Sequence, residues 1–170
     1  MHRRFQVDKF LVFTLLAFSS MSTQAAEPVV SAHTELKDCV IQEVLPGKDM
    51  TGAYMRIVHQ GAPVDVIKAE VPSVSGRIEL HSMAMKNGVM HMVPLTNARI
   101  SAGERVFKKG GDHVMLFDVT SKPAVGSQHA MTLFFSDNTQ ASCNAVVKSL
   151  QDVMKDAGIN PHHAAASGKH

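Results

Sequence analysis

Arg77-Ile78-Glu79-Leu80-His81-Ser82-Met83-Ala84-Met85-Lys86-Asn87-Gly88-Val89-Met90-His91-Met92-Val93 is two alternating runs joined by an Asn-Gly pair. Asn-Gly is a strong two-residue hairpin signal, because both central positions of a type I′ turn need positive φ. With Asn87-Gly88 as the loop, Lys86 faces Val89, Met85 faces Met90 and Met83 faces Met92. Side chains alternate across a strand. His81, Met83, Met85, Met90 and Met92 therefore share one face. The other carries Ile78, Leu80, Ala84, Val89, His91 and Val93, and is expected to be the core side. His81 lies diagonal to Met92, within reach of long side chains.

Similar short runs lie on both sides of the hairpin. Asp38 to Val44 is a strand stopped by Pro46-Gly47, and Gly52 to Val58 ends before Gly61-Ala62-Pro63. Val64 to Val71 closes at Pro72. Val106-Phe107 leads through Lys109-Gly110-Gly111 to a strand from His113 to Val119, and Ala130 to Phe135 and Ala141 to Val147 complete the set. Many short strands between turn residues predict an all-β sandwich or barrel. Val146, Leu150, Val153 and Ala157 recur at helical spacing, with Gly158 to end the turn, so the last strand should run into a short C-terminal helix.

The ends organise the chain into three parts. His2, Arg3, Arg4 and Lys9 precede the apolar run Phe10 to Phe18, and Ser22-Thr23-Gln24-Ala25-Ala26 supplies small residues for cleavage. That order is a secretory signal peptide over 1–26, with an apolar run too short to span a bilayer. Residues 27–158 form the domain, and 159–170 a flexible tail with His162, His163 and His170. Without the signal, 14 basic and 14 acidic residues remain. No basic patch with interleaved aromatics argues for nucleic acid, and the mature chain has no membrane span. In an oxidising compartment Cys39 and Cys143 are expected to pair, tying the first strand to the last.

Eleven methionines against one tyrosine and no tryptophan are unusual for an ordinary core. His113-Val114-Met115 projects a second imidazole and thioether from one face of its strand. If that strand approaches the open hairpin face, His81, Met92, His113 and Met115 converge. Two imidazoles and two thioethers are a neutral, soft donor set suited to Cu(I). Thioethers also cannot be lost to disulfides outside the cytoplasm. Methionine is equally a good core filler, so Met83, Met85 and Met90 could be auxiliary donors, a rim that shields copper, or packing.

Gly76 to Met92, followed by Gly110-Gly111-Asp112-His113-Val114-Met115-Leu116, resembles the PCu(A)C family of periplasmic copper chaperones. The family's signature is a histidine, ten residues, a methionine, about twenty-one residues and then His-x-Met. Here ten residues separate His81 from Met92 and twenty separate Met92 from His113. The one-residue shortfall is placed in the loop around Asn97 to Lys109. Gly52-Ala53-Tyr54-Met55 also looks like the family's early strand, and the resemblance covers roughly 36–148. It implies a cupredoxin-like Greek-key barrel or sandwich, with one Cu(I) on the four matched residues. It further implies delivery toward the cytochrome oxidase copper centre or Sco-type proteins, from a monomer. The chain lacks the tryptophan that the family commonly has near Cys39, and His91 stands where the family often has a basic residue.

Other functions compete less well. A blue-copper electron carrier needs a cysteine thiolate with two histidines, and no histidine follows Cys143 until His162. No Gly-x-Ser-x-Gly elbow or His-Glu-x-x-His helix supports an enzyme. A copper-sequestering resistance protein, or an exported β-domain with no metal role, are the remaining alternatives. The tail histidines could hold Cu(II) loosely.

Overall fold

The computed structural model describes residues 27–159. The signal segment and the tail histidines lie outside the described residues. Strands β1 (Val29–Val30), β2 (Thr34–Gln42), β3 (Thr51–His59), β4 (Val64–Glu70), β5 (Arg77–Lys86) and β6 (Val89–Pro94) come first. They are followed by β7 (Arg99–Ile100), β8 (Gly103–Phe107), β9 (His113–Phe117), β10 (Gln128–Phe135), β11 (Thr139–Lys148) and the helix α1 (Leu150–Asp156). One curled sheet runs in the order β6-β5-β9-β3-β2-β11-β10-β4-β7, with β1 on β11 and β8 on β3. Ile41, Ala53, Met55, Ile57, Val114, Leu116, Met131, Leu133 and Phe135 fill the interior. Closure is incomplete beside β5, where Ile78, Glu79, Leu80 and His81 face β4 residues Val66 to Ala69 across an open seam.

Bends in β2 and at the helix start place the remaining core. Asp38 has φ 51°, and the β2–β3 register shifts between Lys37 and Val40. The extra residue is a bulge, which moves the buried set from Thr34 and Leu36 to Cys39 and Ile41. Cys39 then bonds Cys143 across 104 residues. The expected bridge is present and joins β2 to β11. Ser149 ends β11 and caps α1: its Oγ accepts from the Asp152 N–H at 3.2 Å. The Leu150 N–H donates to Glu43 Oε1 at 2.8 Å, fixing the helix start to the end of β2.

The Asn-Gly hairpin forms in the expected register, with Met83 opposite Met92 and Met85 opposite Met90. Asn87 and Gly88 have φ of 52° and 77°. Its expected core face needs correcting. Ile78 and Leu80 pack against the core. Val89 and His91 are exposed and Ala84 only half-buried, because the hairpin's far end projects beyond the sheet. The stretch 97–109 is also no plain loop, since it contains β7 and β8.

Candidate metal site

β9 does not approach the hairpin from above. It pairs edge to edge with β5 in the same sheet, and this register brings the donors together. His81 lies directly opposite His113, and Glu79 opposite Met115. On the other side of β9, Gly52 of β3 lies opposite Met115. Directly opposed residues share a face. His81, His113 and Met115 thus stand together on the face away from the core, whose own β9 residues are Val114 and Leu116. Met92 reaches the group diagonally from β6. All three are nonetheless buried: His81 is 7 % exposed, His113 6 % and Met115 9 %. The His81 and His113 rings lie 6.0 Å apart, edge to face. Tyr54 and Phe117 flank them, with ring centroids 6.4 Å from His113 and 5.9 Å from His81 respectively.

The hydrogen bonds specify which nitrogen of each ring is free. His113 Nδ1 donates to the Gly111 carbonyl at 2.9 Å. A carbonyl only accepts, so the proton sits on Nδ1 and Nε2 keeps its lone pair. That Nε2 lies 3.4 Å from the Met92 sulfur. His81 Nε2 donates to Glu79 Oε2 at 3.0 Å. Its Nδ1 is buried and, among the described side chains, has no hydrogen-bond partner. A buried unpaired acceptor is costly and calls for an explanation. A metal ion would supply the missing partner.

The spacing also suits a metal. Tetrahedral sites with metal–nitrogen and metal–sulfur bonds of about 2.0 and about 2.3 Å have an N···S edge near 3.5 Å. The His113–Met92 separation is close to that edge. Among the described residues, no group of three or more His, Cys, Asp or Glu side chains is arranged to hold a metal. The cluster's remaining donors are thioethers, which favour a soft ion.

The surroundings favour a neutral His113 ring and hold both rings in place. Burial pushes the His113 pKa down, with the positive charge of Lys109 adding to it; the Gly111 hydrogen bond and the Asp112 carboxylate oppose this. The His81 hydrogen bond draws the Glu79 carboxyl below its usual range, with Arg77 adding to it. Arg77 donates to Glu79 at 3.2 Å and stacks 4.5 Å from the Phe117 ring centroid. Phe117, Arg77, Glu79 and His81 thus form one connected support, in which a carboxylate orients an imidazole, as in many metal sites. Burial raises the Tyr54 pKa to about 12, so its hydroxyl stays neutral beside the site. Tyr54 lies over Gly52, where a Cβ would come within 2.6 Å of its oxygen. Only glycine leaves room for the ring there.

Of the four residues singled out by spacing, His81, His113 and Met115 share this face by register, and the Met92 sulfur reaches His113. Glu79, Arg77, Tyr54 and Phe117 were not singled out; only strand pairing reveals them, although Glu79 and Arg77 precede His81 at two-residue spacing on its own face. Met83 is half-buried, while Met85 and Met90 are exposed. A cleft of about 620 Å³ lies elsewhere, between α1, β8, β11 and parts of β2 and β3, and shares Tyr54 with the cluster.

Residues 34–147 match the model of the LpqE-like lipoprotein family. The chain belongs to the LpqE-like family. A Rickettsia prowazekii relative, uncharacterized protein RP573, is 35% identical over 74 residues; the match spans 42% of this chain and 41% of that protein. Among solved structures, the apo PCuAC domain of PmoF1 superposes with a TM-score of 0.55 at 18% identity, covering 67% of this chain and 92% of that domain. The copper-bound PCuAC domain of PmoF2 gives 0.53 at 20%, over 73% of this chain and 99% of that domain. The Cu(I) form of DR1885 from Deinococcus radiodurans gives 0.51 at 28%, over 74% of this chain and 81% of that one. This LpqE-like chain therefore has the cupredoxin-like fold of PCuAC domains, as the resemblance around His81 to Met115 implied. Its two cysteines, Cys39 and Cys143, are both in the bridge.

Proposed function

We propose that this LpqE-like protein is a periplasmic copper carrier. It binds one Cu(I) ion through His81 Nδ1, His113 Nε2 and the sulfurs of Met92 and Met115. The observation that carries this reading is the buried, unpartnered Nδ1 of His81, whose other nitrogen is held by Glu79. Support also comes from the copper-bound PmoF2 domain and Cu(I)-bound DR1885, which share its fold. The neutral donor set leaves the single positive charge of Cu(I) uncompensated by thiolate, which favours a site able to release its cargo. On this reading the protein is a carrier and not an enzyme: the free His113 nitrogen faces the Met92 sulfur, and His81 Nδ1 is buried without a partner among the described residues. Export is supported by the order of residues 1–26. Delivery toward cytochrome c oxidase assembly is supported by the family resemblance.

Titration with Cu(I) against a competing chelator tests the assignment. His81→Ala combined with Met92→Ala should lower affinity beyond the roughly 10–100-fold that loss of an outer-shell partner costs. Wild-type affinity in that variant would refute the site.

A further inference from the structure

Apart from Met50, which is exposed between β2 and β3, the described methionines separate by burial and position. Met55 and Met131 are fully buried in the core, and Met154 is on the buried side of α1. The hairpin methionines are different: Met85 is 65 % exposed, Met90 45 % and Met92 42 %. Packing does not account for thioethers on a projecting hairpin whose two faces both meet solvent. Their register adds a second regularity. A two-residue loop makes Lys86–Val89 a hydrogen-bonded pair, so pairs alternate from there. Met85–Met90 and Met83–Met92 are then both non-hydrogen-bonded pairs, as is His81–Pro94, where proline has no N–H to offer. Non-hydrogen-bonded positions bring side chains closest, with Cα atoms about 4.5 Å apart. Four thioethers therefore stand in two close pairs on one face. They lead from the hairpin tip to the Met92 sulfur, 3.4 Å from His113 Nε2.

We propose that Met83, Met85 and Met90 form a second, weaker Cu(I) station at the hairpin tip, from which the ion passes inward to His81, Met92, His113 and Met115. This rests on the assignment of the inner site. The transfer is ligand exchange: copper stays Cu(I), no electron moves, and thioethers carry no proton to lose. The path runs from the exposed Met85 and Met90 through Met83 and the part-exposed Met92 to the buried Met115 sulfur and imidazole nitrogens. The station provides a first contact that water-exposed donors can make with a delivered ion, which the buried imidazoles cannot.

Labelling the methionine methyl groups with carbon-13 and titrating the protein with Ag(I), a redox-inert stand-in for Cu(I), separates the two sites by NMR. Met92 and Met115 should shift with the first equivalent, and Met83, Met85 and Met90 only after it. In the Met83→Leu, Met85→Leu, Met90→Leu variant, inner-site affinity should be unchanged and loading from chelated Cu(I) should slow severalfold. The proposal is overturned if the three outer methyls never shift, or if the variant loads as fast as wild type. The latter result would leave the exposed hairpin as a protein-docking surface. Absence of shifts at Met92 and Met115 would instead overturn the inner-site reading.

Discussion

At the scale of single residues, Glu79 governs how His81 presents itself. Its carboxylate accepts from His81 Nε2 and leaves Nδ1 bare. Glu79→Ala should cost about 10–100-fold in Cu(I) affinity, the usual effect of removing an outer-shell partner. Glu79→Gln, whose amide oxygen can still accept, should retain most of it; chelator competition reads both. His113 carries a pH dependence. Its folded pKa is pushed below the ordinary 6.5 by burial. Between the unfolded and folded values the unfolded chain binds the extra proton, so stability rises with pH there. The metal-free protein should accordingly melt at lower temperature as pH falls below about 6.5. His113→Gln should flatten that dependence; thermal scans across this range check it, and an equal slope in the variant would contradict it.

At the scale of elements, the hairpin was readable because Asn87-Gly88 sets its phase and a period of two does the rest. The short C-terminal helix was readable from the spacing of Leu150, Val153 and Ala157 and from Gly158 after it. What was not readable is where β9 lies. Its sequence shows that His113 and Met115 share a face, but not that β9 is β5's neighbour in the sheet. That neighbour relation is what places His81 opposite His113, and it depends on long-range pairing. The exposure of Val89 and His91 was hidden for a related reason: alternation identifies two faces, not how far an element projects past its neighbours. The bulge at Asp38 broke the alternation that marks a strand, and the two-residue strands β1 and β7 are too short to show a period.

At the scale of the whole molecule, the donors sit where the sheet is least closed, while stability is concentrated away from them. The Cys39–Cys143 bridge joins β2 to β11, on the far side of β3 and β9 from the hairpin. Closing a loop of that length stabilises by restricting the unfolded chain. Cys39→Ala with Cys143→Ala should lose about 2–5 kcal/mol in denaturant unfolding. Reduction of the wild type should lose a similar amount, and unchanged midpoints would show that the bridge is dispensable. The division leaves a braced barrel that holds one edge open for a soft ion. X-ray absorption at the copper edge of the Cu(I)-loaded protein examines that ion directly. Two nitrogen and two sulfur neighbours are predicted, with one sulfur lost in Met92→Leu. A shell of nitrogen and oxygen alone, or a sulfur count that Met92→Leu leaves unchanged, would contradict the assignment.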